Sequence, residues 1–163
     1  MISEQDLEYL RRCVELARKA LESGDQPFGS VLVSEDGRVL FEDHNRVSGG
    51  DNTRHPEFEI ARWAANHLSP EERRLATVYT SGEHCPMCAA AHGHVGLGRI
   101  VYAVSSAQLT EWRREMGVEL PRVRPIPIQE IIRDAIVDGP APEFAEEVRE
   151  LHRRYYEKMA GRK

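Results

Sequence analysis

Two segments decide the fold and the chemistry of this chain: His55-Pro56-Glu57 and Glu83-His84-Cys85-Pro86-Met87-Cys88. One imidazole and two thiolates form a three-ligand set for zinc, which leaves the fourth tetrahedral position open for water. A purely structural zinc is normally closed by a fourth protein ligand. The pattern therefore predicts a hydrolytic zinc site held by His55, Cys85 and Cys88.

Glu57 follows the histidine by two residues. If His55 opens a helix, Glu57 lies in the first turn and can face the open side of the metal without binding it. Pro56 leaves this helix start intact, because the first helical position needs no backbone donor. Two thiolates cancel the formal charge of zinc, so a nearby base is needed to activate water at neutral pH. Glu57 is the predicted base.

A second zinc set is possible on the same segment. His92 and His94 follow Cys88 closely, and His92 lies one helical turn after it, so Cys85, Cys88, His92 and His94 could form a closed site. That arrangement leaves the pairing of His55 with Glu57 unexplained. The three-ligand set is therefore the preferred hypothesis.

The two segments resemble the H-x-E…P-C-x-x-C pattern of zinc nucleobase deaminases. Further segments resemble the cytidine/deoxycytidylate deaminase superfamily, and bacterial guanine deaminase-like proteins are the nearest in layout: Pro27 to Val33, Asn45, Thr77 to Ser81 and Arg99 to Ala103. Two positions depart from the usual pattern. His84 stands where a proline usually precedes the first cysteine, and Pro56 stands where alanine is common.

The resemblance implies a Zn²⁺-dependent hydrolytic deaminase that releases ammonia from a small amino-substituted nucleobase or nucleoside. Guanine is the first choice of ring, and cytosine or a related ring is the next. Glu57 would carry protons from water to a ring nitrogen and to the leaving ammonia. Candidate substrate contacts lie at six positions: Asn45, Phe28, Glu83, His94, Tyr155 and Tyr156.

Most of these contacts also have a plainer interpretation. Asn45 offers a donor and an acceptor for the edge of a base, or it simply ends a strand. Phe28 stacks on a planar ring or packs in the core. Glu83 acts in catalysis or only holds backbone donors. His94 occupies the position, six residues after the second cysteine, where bacterial guanine deaminases carry an aromatic residue. Bacterial tRNA adenosine deaminases tend to have a histidine there, so this position weakens the case for guanine.

Two alternative functions remain open. A tRNA adenosine deaminase is favoured by His94 and by the basic tail Arg153-Arg154…Lys158…Arg162-Lys163, but the net charge of −5 disfavours a nucleic-acid partner. The other alternative is a zinc-stabilised interaction module without catalytic activity. Such a module would not need Glu57.

Composition is typical of one globular enzyme domain over residues 1–163. Apolar residues make up 40% of the chain and charged residues 30%, which excludes disordered and fibrous classes. No segment is apolar enough to span a membrane, and the polar start Met1-Ile2-Ser3-Glu4-Gln5-Asp6 is unlike a signal peptide. These features predict a cytoplasmic protein.

Periodicity predicts alternating helices and strands. After an amphipathic helix opened by Ser3, the predicted elements are strands at 29–34 and 38–43, a helix from Pro56 to His67, a strand at 76–80, a helix from Pro86, a strand at 99–104 and a helix at 106–115. Residues 121–142 are rich in proline and predict an extended crossing segment that can include a short helix or strand. The order favours an α/β three-layer α/β/α sandwich with a central mixed sheet.

The C-terminal region predicts one more amphipathic helix, with Phe144, Val148, Leu151 and Tyr155 on its apolar face. By resemblance, residues 140–163 form a tail that reaches over the active site, with Tyr155 or Tyr156 at its mouth. The resemblance also implies a homodimer, and the small residues Ala89-Ala90-Ala91 would let another element approach closely. A helix that only completes the core is the plainer alternative for the tail.

Overall fold

The computed structural model of the chain describes residues 1–161. Its helices are α1 (Glu4–Glu22), α2 (Pro56–His67), α3 (Pro70–Leu75), α4 (Pro86–Val95), α5 (Ser106–Glu115), α6 (Ile128–Ile131) and α7 (Ala145–Ala160). Its strands are β1 (Gly29–Val33), β2 (Val39–His44), β3 (Thr77–Gly82), β4 (Ile100–Val104) and β5 (Val137–Asp138). None of the helices described is long and apolar enough to cross a membrane.

Within residues 1–161 the strands form one mixed sheet in the order β2-β1-β3-β4-β5. β1 pairs antiparallel with both β2 and β3, whereas β3, β4 and β5 run parallel to one another. The turn at Asp36-Gly37 joins the antiparallel pair of β1 and β2, and the parallel pairs follow from the helical crossovers α4 and α5. The predicted central mixed sheet is confirmed.

Alternate residues of the central strands serve two separate cores. Val31 and Tyr79 lie in a cluster with α1 and α7, while Leu32 and Val78 lie in a cluster with α2 on the opposite face. Helices therefore cover both faces, which gives the three layers that the sequence predicted. The contact of α1 with the sheet is especially close at Gly29, where a Cβ atom would lie 2.7 Å from the backbone nitrogen of Ala17.

Several predicted bounds differ from the structure by one or two residues, and one helix was missed. α3 is opened by a capping box in which Ser69 Oγ accepts from the backbone of Glu72 and the Glu72 carboxylate accepts from the backbone of Ser69. The S-x-x-E signature of such a box was present in the sequence at these positions. The helix is only six residues long, so its apolar periodicity was too short to detect.

The tail helix α7 forms as predicted and belongs to the main core. Phe144, Val148 and Leu151 are all at least 97% buried in the cluster that also contains the apolar face of α1. Burying side chains of this size stabilises the fold by about 1.5–3 kcal/mol each. Of the predicted basic tail, Arg162 and Lys163 lie outside the described residues.

Candidate active site

Two helix starts meet at the predicted zinc ligands. His55 is the N-cap of α2 and Cys85 is the N-cap of α4, and each is followed by a proline at the first helical position. Cys88 lies in the first turn of α4. His55 Nδ1 is 3.5 Å from the Sγ atoms of both Cys85 and Cys88. The fold therefore brings together three ligands that the sequence separates.

The spacing of these atoms fits tetrahedral zinc. Bonds of about 2.0 Å to nitrogen and about 2.3 Å to sulfur place neighbouring nitrogen and sulfur ligands about 3.5 Å apart at a tetrahedral angle. Across residues 1–161, His55, Cys85 and Cys88 are the one group of three or more possible metal ligands whose donor atoms all lie within 4.8 Å of each other. His92 instead directs Nε2 at the carbonyl oxygen of Gly98, 2.7 Å away, and His94 is exposed. The closed four-ligand site is not formed.

The pKa values of Cys85 and Cys88 are shifted in opposite directions, and a bound cation would stabilise both as thiolates. Hydrogen bonding from Cys88, together with the nearby His55, lowers the pKa of Cys85 to about 4, against the opposing effect of burial. The contact with Cys85, together with burial and the charge of Glu57, raises the pKa of Cys88 well above its usual value. Two adjacent thiolates beside a carboxylate are stable together only around a positive ion, and zinc deprotonates a coordinating thiol.

Glu57 is 94% buried beside this set. Its Oε1 atom is 2.8 Å from Ser30 Oγ and 2.9 Å from Thr80 Oγ1, which face each other across the pairing of β1 with β3. Burial raises the pKa of Glu57, although the charge of His55 and the two hydroxyls act in the opposite direction. A raised pKa makes a carboxyl group a stronger proton acceptor, as the role of general base requires.

A cavity of about 580 Å³ is lined by Glu57 and by two of the metal ligands, His55 and Cys85. Asn45 lines this cavity and is 99% buried. Its Oδ1 accepts from the backbone nitrogen of Val47 at 3.1 Å, which fixes the orientation of the amide. Among the residues described, Nδ2 makes no hydrogen bond, so it is available to donate to a ligand in the cavity.

Phe28 forms an apolar wall of the same cavity. Its ring packs edge-on against His152 of α7, with ring centroids 5.0 Å apart. The tail helix therefore supports the wall from behind.

Glu83 lines the cavity, but its carboxylate already has two backbone partners. Oε1 accepts from the backbone nitrogen of Ser106 at 2.9 Å, and Oε2 accepts from that of Ile128 at 3.0 Å. Glu83 thus ties the start of α5 and the start of α6 to the loop that carries the cysteines.

The three remaining predicted contacts are not among the described residues that line the cavity. His94 is exposed on the outer part of α4, and Tyr155 packs against the main core. Tyr156 accepts a hydrogen bond of 2.8 Å from Nε of Arg113, and Arg113 does line the cavity. The tail therefore reaches the cavity through Arg113 rather than through a tyrosine ring.

Several site residues were missed from the sequence. Ser30 and Thr80 were recognisable as polar residues on the face of β1 and β3 that is otherwise apolar, at Leu32 and Val78. Three arginines that line the cavity, Arg113, Arg122 and Arg124, gave no comparable signal, because they lie on α5 and in the proline-rich segment.

Residues 3–104 match the cytidine and deoxycytidylate deaminase zinc-binding region. The match contains His55, Glu57, Cys85 and Cys88, and the chain belongs to this family. It is accordingly a zinc-dependent deaminase, a hydrolase of C–N bonds, with zinc as its cofactor.

Similar proteins act on different rings. A probable cytosine deaminase from Schizosaccharomyces pombe is 34% identical over 118 residues, which cover 71% of this chain and 70% of that protein. A guanine deaminase from Bacillus subtilis is 38% identical over 85 residues, or 51% of this chain and 54% of that protein. A solved structure from work on tRNA:A34 deaminases superposes with a TM-score of 0.60 at 28% identity, covering 87% of this chain and 99% of that one.

Proposed function

We propose that this chain hydrolytically deaminates a small amino-substituted nucleobase or nucleoside, with a guanine-like ring as the first choice and cytosine next. The observation that carries the proposal is the position of Glu57: its Oε1 is held by Ser30 and Thr80 while the carboxylate lines the cavity beside the three ligands. A structural zinc site has no use for a buried carboxylate in that position.

Zinc and Glu57 would have different roles in the reaction. Zinc, when bound, acidifies a water molecule and so supplies a nucleophile near neutral pH. Glu57 accepts a proton from the attacking water and delivers it to a ring nitrogen, while the water oxygen bonds to the adjacent amino-bearing carbon. Glu57 then takes the second proton from the newly bound hydroxyl group and passes it to the amino group, the C–N bond breaks, and ammonia leaves as the ring carbonyl forms.

Asn45 and Phe28 would orient the ring. Asn45 Nδ2 can donate to a ring carbonyl or ring nitrogen, and the Phe28 wall offers an apolar surface for a planar ring. Holding the ring against the nucleophile lowers the barrier by removing rotational freedom before the reaction. The Bacillus subtilis and Schizosaccharomyces pombe relatives support guanine and cytosine as the first two rings to test.

The test is zinc content together with ammonia release. Atomic absorption should find one zinc per chain, and at least one of guanine, guanosine, cytosine, cytidine, adenine and adenosine should release ammonia. Removing zinc with a chelator should abolish turnover, and adding zinc back should restore it. Protein without zinc, or with zinc but without turnover of any amino-substituted ring, would contradict the proposal.

A tRNA adenosine deaminase is the second candidate function, favoured by the similarity to the tRNA:A34 deaminase structure. Inosine formation in an anticodon stem-loop, with binding that weakens steeply as salt rises, would establish it.

A homodimer stays a prediction. Sedimentation at micromolar concentration should give a species of twice the chain mass, and a single monomer would contradict it.

A further inference from the structure

Three arginines at the cavity lack acidic partners. Arg113, Arg122 and Arg124 line it, and in residues 1–161 none of them has a carboxylate oxygen within ion-pair distance. Most of the other arginines differ: ion pairs are formed within the same residues by Arg11, Arg12, Arg18, Arg38, Arg46, Arg54, Arg74, Arg99, Arg114, Arg149 and Arg153. Arg62, Arg73, Arg133 and Arg154 form none within these residues either, but they do not line the cavity. The cavity thus gathers three guanidinium groups that no carboxylate of the described residues neutralises.

Two of the three lie on a short segment, Pro121 to Pro125, which we call the arginine strap. All five of its residues line the cavity and all are exposed. A proline at each end restricts the backbone, so less freedom is lost when the arginines bind a ligand. The strap is anchored three residues later by Ile128, which is fully buried.

Glu83 fixes the strap relative to the metal ligands. Its two oxygens accept from the backbone nitrogens of Ser106 and Ile128, so one carboxylate holds both α5, which carries Arg113, and the start of α6, three residues after the strap. The elements on either side of the arginines are thereby tied to the loop that carries the cysteines. Arg113 is further oriented by its hydrogen bond to Tyr156.

The charge balance of the cavity is positive at this rim. The acidic residues lining the cavity are Glu57 and Glu83, within the described part of the chain. Glu57 is held at the zinc set, and Glu83 is occupied by two backbone donors. Among residues 1–161 neither carboxylate lies within ion-pair distance of the three arginines, so the rim is locally positive although the whole chain carries a net charge of −5.

We propose that this rim binds a phosphate group attached to the base that is deaminated. The inference rests on the proposed function and names the substrate class: a nucleotide rather than a free base. A guanidinium group matches phosphate oxygens with two parallel hydrogen bonds, which makes unpaired arginines a suitable site for this anion. A cavity of about 580 Å³ is large enough for a drug-sized ligand and therefore for more than a single base.

The experiment compares one ring in three forms: free base, nucleoside and nucleoside 5′-monophosphate. On the zinc-loaded protein, kcat/KM for the 5′-monophosphate should exceed that for the nucleoside by about tenfold or more, since one good charged contact is worth about that factor. In the double variant Arg122→Gln/Arg124→Gln this ratio should fall toward one. Arg133→Gln is the matched control, because Arg133 is exposed and does not line the cavity.

Binding measurements separate this inference from the proposed function. If no ring is turned over, the proposed function fails, and calorimetric binding of guanosine 5′-monophosphate against guanosine still tests the rim. A short RNA stem-loop distinguishes the source of the phosphate: an RNA-binding rim binds the stem-loop more tightly than the mononucleotide, with a steeper salt dependence. Equal kcat/KM and equal affinity with and without phosphate, or equal effects of the strap variant and Arg133→Gln, would overturn the inference.

Discussion

Thr80 Oγ1 lies 2.9 Å from Glu57 Oε1, and this contact joins β3 to the first turn of α2. Thr80 is fully buried and also lies 2.9 Å from the carbonyl oxygen of Gly82 and from Ser30 Oγ. The carboxylate is thereby held by the sheet rather than only by its own helix. A fixed carboxylate loses less freedom when it transfers a proton.

Thr80→Val should lower kcat about tenfold with little change in KM, because it removes a hydroxyl that holds Glu57 and leaves the cavity wall intact. Thr80→Ser keeps the hydroxyl and should restore most of kcat. Steady-state kinetics of the two zinc-loaded variants check this. A similar loss in both would show that the methyl group, and so the packing, is what matters.

Asn45→Asp should lower kcat/KM about tenfold to a hundredfold. The aspartate keeps an oxygen for the backbone nitrogen of Val47 but loses the Nδ2 donor that the cavity offers to a ring. Asn45→Ala removes both interactions and serves as the comparison. Unchanged kcat/KM in Asn45→Asp would mean that Asn45 only shapes the turn after β2.

His152 should make the protein less stable as the pH falls from about 6.5 toward 3. Burial lowers the pKa of this ring to about 3, while in the unfolded chain it titrates near its ordinary value of about 6.5. Between these values only the unfolded chain binds the proton, so the free energy of unfolding decreases by about 1.4 kcal/mol per pH unit from this group.

The measurement is urea unfolding of the wild type and His152→Gln between pH 7 and 4. The variant should lose stability less steeply with acidification than the wild type. His94→Gln, which removes an exposed histidine, should follow the wild type. Parallel curves for all three proteins would contradict the assignment to His152.

Leu151→Ala should destabilise the fold by about 2–5 kcal/mol, because Leu151 is 99% buried between α7 and the main core. Thermal unfolding checks this, with the exposed Arg154→Ala as control.

Deleting the chain after Gly139 should give aggregated protein, because it removes the buried face of α7 from the main core. A folded, zinc-loaded truncation would instead support a tail that serves only the active site.

Local patterns predicted the three metal ligands. His55, Cys85 and Cys88 lie at helix starts whose prolines and spacing are visible in the sequence, and β1 and β3 lie in segments that resemble the core strands of the family. Glu83 could be recognised as a candidate, but its partners are the backbone nitrogens of residues 23 and 45 positions away. Backbone donors carry no sequence signal, so its role in anchoring α5 and the strap required the structure.

The position of the proline-rich segment relative to the cavity also could not be predicted from the sequence. From the sequence, Pro121 to Pro142 is an extended crossing segment, and its arginines look like ordinary surface charges. Only the fold places Arg122 and Arg124 on the cavity that contains Glu57. The burial of His84 could not be predicted from its sequence neighbours either. Its ring is fully buried, and in the part of the chain described neither ring nitrogen has a hydrogen-bond partner.

The most direct measurement of the central claim is ammonia release by Glu57→Gln at a matched zinc content. Glutamine keeps the size of the side chain but cannot carry a proton, so kcat should fall by about 10²–10⁴-fold while zinc binding and unfolding stay near those of the wild type. Glu59→Gln is the matched control, since Glu59 lies in the same helix turn and pairs with Arg54. Activity in Glu57→Gln equal to that of Glu59→Gln would contradict Glu57 as the proton carrier.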